Sequence, residues 1–208
     1  MREQGARGRH LEAFFGYLYY AAMRPAEASG LRVSQCHLPE TGWGMLTLRQ
    51  GIARAGRSWT DDGTAHERRH LKARAKKDSR PVPIPPHFVR LLRQHIATHG
   101  TAPDGRFFRT NRDGLLQETG YGEGWAKARK DVLTEAETAS LLARRPYDLR
   151  HAGVSFWLSS GVDAMECARR AGHSIAVLHT VYAKVLDETR ERANSRVDAA
   201  LWEWNEPE

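Results

Sequence analysis

Residues 145–153 read RPYDLRHAG, with AGHS following at 171–174 and VYAKV at 181–185. The pattern from Asp148 onward is helix, glycine, helix, glycine, helix. LRHAGVSFWLSSG stops at Gly161, VDAMECARRAG stops at Gly172, and HSIAVLHTVYAKV begins with Ser174 as its N-cap. The stretch is dense in groups able to act on a phosphodiester. Arg150 starts a helix, His173 follows a helix-ending glycine, and Tyr182 lies nine residues further on. Two guanidiniums hold both non-bridging oxygens of one phosphate and stabilise its crowded, charged transition state. A phenol can attack phosphorus and store the bond as a phosphotyrosine. An ammonium can protonate the departing oxygen.

Upstream, LEAFFGYLYYAA (11–22) predicts an apolar helix, preceded by a polar tail over 1–10. Arg24 then stands directly before Pro25, with Glu27 in the first turn and Gly30 at the end of a short helix. Glu27 is read as support for Arg24 or for the helix start. VSQCHL (33–38) and WGMLTLRQ (43–50) read as strands, and LKARA (71–75) with RPVPIP (80–85) as a hairpin. Pro81 and Pro83 favour a sheet edge. The fold class is therefore α+β: mainly helical, with a small antiparallel sheet of about three strands. PPHFVRLLRQHI places Phe88, Leu91, Leu92 and Ile96 on one helical face, and 120–132 places Trp125, Ala128 and Val132 in register. A last helical segment aligns Val197, Ala200, Leu201 and Trp204. The stretch 52–70 is polar and Arg-rich and reads as a loop.

That loop contains HERRH (66–70), which matches the H-E-x-x-H pattern of zinc proteases. The surroundings oppose that reading. From His66 to Arg80 there are seven Lys or Arg against two acids, and no Glu occurs between Glu67 and Glu118. The segment lacks the apolar side that would bury a ligand helix. A solvated basic loop is the better reading. The 208 residues carry a net charge of +7 with a pI of about 9.7, which puts nucleic acid first among partner classes. No apolar run reaches membrane-spanning length, and MREQGARGRH lacks a signal-peptide core. Cys36 and Cys167 read as reduced core residues of an intracellular protein.

Five segments together resemble the tyrosine recombinases, or integrases, with a flavour of actinobacterial phages and mobile elements. RPAEASGL (24–31) is similar to their R-x-x-E-x-x-x-L box, and LKARAKKDSRPVPIP (71–85) to their lysine hairpin. YDLRHAG (147–153) resembles H-x-x-R, AGHS their L-G-H box, and Tyr182 their nucleophile. The likeness runs over about residues 10–190. It implies cytoplasmic, nucleoid-associated site-specific recombination of double-stranded DNA through a 3′-phosphotyrosine, without metal or nucleotide cofactor. The implied catalytic set is Arg24, Lys72, Tyr147, Arg150, His173 and Tyr182, with Lys76 and Lys77 as other occupants of the lysine role. A homotetramer on DNA is implied, with the segment 191–208 docking on a neighbour.

Two departures stand out. Tyr147 replaces the usual histidine; its phenol can donate to a phosphate oxygen but, with a reference pKa near 10, is a poor base. His151 is one residue out of register and is expected to point elsewhere. Arg24 also comes only 23 residues from the start, so the expectation is a catalytic domain over 11–190 without the helical core-binding domain that precedes it in the family. A catalytically dead DNA-binding remnant and a type IB topoisomerase are the alternatives.

Overall fold

A computed structural model describes residues 5–54, 66–70, 79–188 and 190–205. Lys72, Lys76, Lys77 and the LKARA limb of the expected hairpin lie outside the described residues. The chain divides into two compact units, Met1–Gly153 and Val154–Glu208.

In the first unit, helix α1 (Gly5–Tyr20) begins six residues earlier than the apolar pattern predicts, inside the stretch read as a tail. It is followed by the short α2 (Pro25–Gly30). Phe14, Tyr17 and Leu18 of α1 are fully buried. Tyr17 meets Phe88 edge-on at 5.0 Å, and Phe14 stacks on Tyr121 at 4.7 Å. Large aromatic side chains packed in this way supply much of a small core's burial. Phe88 belongs to α3 (Pro86–His99) and Tyr121 to α4 (Glu118–Val132), so one helix face organises two others. The inward face of α3 is Phe88, Val89, Leu92 and His95; Leu91 and Ile96, expected there, are half-buried. On α4, Tyr121 and Ala128 are buried, whereas Val132 is exposed at the helix end. A short helix α5 (Glu135–Ala139) follows.

The three-stranded antiparallel sheet has the order β1–β2–β5: Cys36–His37, Gly44–Leu48 and Arg80–Ile84. Only two residues of the 33–38 segment are strand, because Val33–Gln35 closes a 3-10 turn first. Among the described residues β5 lies at the sheet edge, where Pro81 and Pro83 leave no ladder donor missing. Its described partner is β2, with Leu48 opposite Arg80, Leu46 opposite Val82 and Gly44 opposite Ile84. Alternation turns Arg80, Val82 and Ile84 inward, so an arginine occupies a core position of the strand.

The stretch 52–70 is not simply a loop. β3 (Gln50–Arg54) and β4 (His66–His70) form a second antiparallel pair, with Arg54 opposite His66 and Gln50 opposite His70. HERRH is thus a strand. Its two histidines are separated by about 13 Å of extended chain rather than the about 6 Å of one helical turn, which removes the geometry of the protease reading.

α6 (Asp148–Ser159) starts in the first unit and ends in the second. α7 (Ala164–Ala171), α8 (Ile175–Glu188) and α9 (Arg190–Asn205) complete the second unit. Its punctuation follows the sequence. Gly161 has φ +83°, and Gly172 caps α7 in the left-handed region at φ +66°, ψ +43°. The Ser174 hydroxyl accepts from Val177 N–H at 3.2 Å at the start of α8.

Candidate active site

The site residues of the first unit gather around Glu27. Arg24 is the N-cap of α2, with Pro25 at its first position, and its own backbone N–H donates to Glu27 Oε2 at 2.8 Å. The Arg24 guanidinium donates to Glu27 Oε1 at 3.0 Å. Arg80 reaches the same carboxylate from β5 with two bonds, 3.1 Å to Oε1 and 2.7 Å to Oε2. This fork geometry suits a buried ion pair, because the two parallel bonds replace lost hydration. Glu27 is 4% exposed and Arg80 1%. Burial alone would raise the Glu27 pKa, but the charge and hydrogen bonds of Arg80, then Arg24, outweigh it and hold the carboxyl below its ordinary value.

Arg150 enters this group from the first turns of α6 and is 0% exposed. Its guanidinium donates to the Ala22 carbonyl. Ala22 has φ +44°, a left-handed conformation that costs a non-glycine residue about 1 kcal/mol. That turn lies between α1 and α2 and aims the carbonyl that receives Arg150. α6 approaches closely because residue 153 is glycine: a Cβ there would overlap the Tyr19 carbonyl. Burial pulls the Arg150 pKa below its usual value, and the neighbouring Arg24 charge adds to the effect. Glu27 and Tyr147 oppose it and Arg80 reinforces it, so all five groups share one electrostatic neighbourhood.

Two guanidiniums therefore bind a single carboxylate, a third lies within reach of its charge, and positive charge is in excess. Arg24, with about a quarter of its side chain exposed, is the member that reaches solvent. An anion is the ligand class such a group stabilises. Tyr147 belongs to the same neighbourhood. Its ring meets His151 edge-on at 5.2 Å, so His151 does not point elsewhere: four residues on, it lies beside Tyr147. Burial, then the Arg150 charge, lowers the His151 pKa and keeps the ring neutral.

In the second unit, the rings of His173 and Tyr182 lie nearly parallel, 26° apart, with centroids at 6.3 Å. Tyr182 is 3% exposed. Its backbone, at φ −117° and ψ 20°, leaves helical geometry in the middle of α8. α8 is thus kinked at the tyrosine, a feature its helical sequence pattern did not announce. The structure brings Arg24, Tyr147 and Arg150 together in one unit, and His173 and Tyr182 in the other.

Arg80 is the functional candidate that motif reading left out. The local sequence shows only an arginine at the head of a strand; its inward position and its acid, Glu27, come from the fold.

No protein-family model matches the chain, and no curated protein matches it in sequence. Solved structures match it in shape. The Tn1549 transposon integrase in complex with a circular intermediate DNA matches with a TM-score of 0.68 and 16% identity, over 91% of this chain and 60% of that one. XerH site-specific recombinase, in a post-cleavage complex with a palindromic difH substrate, gives 0.64 and 13% over 91% and 46%. XerA recombinase gives 0.57 and 17% over 90% and 62%. The chain thus spans between 46% and 62% of the length of these three. At such identities the likeness is one of fold, and it agrees with the motifs at residues 24–31, 147–153 and 173–182: the chain has the fold of a tyrosine recombinase catalytic domain.

Proposed function

We propose that the chain cleaves and rejoins DNA strands in site-specific recombination. The observation that carries this reading is the grouping of three arginines from distant segments: Arg24 and Arg80 share the carboxylate of Glu27, and Arg150 lies close enough to feel the charge of all three. Arg24, the partly exposed member, holds the scissile phosphate, and the buried Arg150 adds its positive charge to the stabilisation of the transition state. The Tyr182 oxygen attacks phosphorus and the bond to the 5′ oxygen breaks, leaving a 3′-phosphotyrosyl link and a free 5′-hydroxyl. Lys72 donates the proton to the leaving oxygen, and His173 and Tyr147 donate hydrogen bonds to the phosphate. One P–O bond forms as another breaks, and one proton passes in net from phenol to the 5′ oxygen. The step therefore consumes no nucleotide, and its reversal rejoins the strand. Glu27 and Arg80 do no chemistry. They fix Arg24 at the head of α2.

The partner is double-stranded DNA, held mainly through phosphate contacts, which the +7 charge favours. The setting is the cytoplasmic nucleoid. Among the described residues, no helix is long and apolar enough to cross a membrane. Recombination proceeds in a homotetramer on DNA, with α9 docking on a neighbouring protomer. Val197, Leu201, Trp202 and Trp204 of α9 are all exposed, as a docking helix requires.

The test is trapping on a nicked duplex whose short 5′ fragment diffuses away after cleavage. The native chain should accumulate a covalent adduct, and Tyr182→Phe should bind the duplex without forming one. An adduct that persists in Tyr182→Phe would remove Tyr182 from the mechanism. Salt-dependent binding with no adduct in the native chain would favour a catalytically dead remnant.

A further inference from the structure

Three histidines of the first unit have no part in this chemistry. His95 and His99 stand one turn apart on α3, and His10 faces them from α1. Their ring centroids form a nearly equilateral triangle: 5.0 Å from His10 to His95, 5.3 Å from His10 to His99, and 5.0 Å from His95 to His99. One ring nitrogen of each lies within 4.8 Å of the other two. Three imidazoles bound tetrahedrally to zinc at about 2.1 Å have centroids about 5 Å apart, so small ring rotations would close the site.

Two features orient the rings as ligands. The His95 Nε2 faces the Phe107 carbonyl at 3.3 Å. A carbonyl only accepts, so Nε2 carries the proton and Nδ1 carries the lone pair. Metal-bound histidines are commonly fixed by this outer contact. His10 Nε2 is enclosed and has no hydrogen-bond partner among the described residues. An orphaned buried nitrogen is costly unless something fills its need. Arg109 is the opposing charge nearby, and its ion pair with Asp113 offsets it. A cavity of about 960 Å³ borders His10 and His99, and one of about 170 Å³ borders His95 and His99, so the cluster has an entry path.

We propose that His10, His95 and His99 bind one divalent cation of the zinc class and so clamp α1 to α3. An all-imidazole set suits zinc, nickel or copper and disfavours magnesium or calcium, which take oxygen ligands. Three protein ligands leave a fourth position for water on the side of the larger cavity. The clamp is independent of the strand-transfer reading, because none of the three histidines belongs to it.

The test uses tag-free full chain stripped with chelator. Titration with Co²⁺ should give one equivalent bound and the intense visible bands of tetrahedral coordination. Zinc in hundredfold excess over its Kd should raise Tm by about 5 °C or more. His10→Gln and His99→Gln, both at half-buried positions, should each weaken binding about tenfold or more and lose the bands. His66→Gln/His70→Gln, which alters the HERRH strand, should bind as the native chain does. No stoichiometric binding, or native-like bands in His10→Gln and His99→Gln, would show that the rings only pack. Loss of the bands in His66→Gln/His70→Gln alone would place the metal elsewhere. Either result overturns the proposal.

Discussion

Among the described residues, the two units differ most in charge: buried charged side chains occur in the first and not in the second. The first buries charged side chains, Arg80, Arg150 and Glu27, as well as the aromatic rings of Phe14, Tyr17, Phe107 and Phe108, although Trp43, Val132 and Leu141 stand exposed. The second exposes much of its apolar surface. Ile175, Val177 and Val181 of α8 stand partly in solvent, and on α9 Trp204 is 89% exposed. A buried ion-pair network is held in one geometry by everything packed on it, and it strongly resists the loss of one member. An exposed apolar face costs little to alter within the monomer and is informative only in an assembly. The contrast separates a unit that buries a charged network from a unit whose last helix leaves its large apolar side chains in solvent.

The sharpest way to break this contrast is to remove the shared carboxylate. Glu27→Ala should destabilise the chain by about 3–5 kcal/mol in urea unfolding, because Arg80 is then left buried without its partner. A cost below about 1 kcal/mol would mean that the network is not enclosed. Next is Gly153→Ala. Its methyl overlaps the Tyr19 carbonyl, which belongs to backbone and cannot turn aside, so α6 must shift at a cost of about 3 kcal/mol. Arg150 moves with α6, so adduct formation should fall with stability.

The acid limb sharpens the same point. The folded pKa of Glu27 is depressed, so its contribution to stability is complete above the ordinary glutamate value of about 4.3 and is lost as pH falls below that, through the folded pKa. Glu27→Gln should flatten the dependence of Tm on pH below about 4.3 relative to the native chain. An unchanged acid limb would contradict the pairing.

What the amino-acid sequence disclosed follows the same division of causes. The helices of the second unit were legible because Gly161, Gly172 and Ser174 are local signals whose geometry is decided within a few residues. The nearness of Arg24 and Arg150, far apart in the chain, was expected from motif spacing. The β3–β4 pair was not, because its ladder consists of backbone hydrogen bonds between polar segments with no alternating apolar pattern. Arg80 stayed hidden because its burial depends on Glu27, 53 residues earlier in the chain. The histidine triangle shows the same limit: the one-turn spacing of His95 and His99 can be read locally, but the approach of His10 from α1 cannot.

In the second unit the expected effects on the monomer are small. Leu201→Ser with Trp204→Ser should change unfolding stability by no more than about 0.5 kcal/mol, since both side chains are already in solvent. The same pair should prevent assembly of tetramers on DNA, as read by sedimentation. Loss of monomer stability would show that α9 packs on its own chain. Smallest of all is Ala22→Gly. Relief of the left-handed strain and the added freedom of the unfolded chain oppose each other, leaving a net change within about 0.5 kcal/mol.

The central claim is that the arginine group holds a phosphate at the moment of reaction, and Arg24→Ala addresses it most directly. Arg24 is the partly exposed member, and Arg80 remains to neutralise Glu27, so folding should survive. Single-turnover adduct formation on the nicked duplex should fall by about 10²–10³-fold, with duplex affinity changed only a few-fold. Adduct formation at the native rate in a folded Arg24→Ala chain would contradict the account.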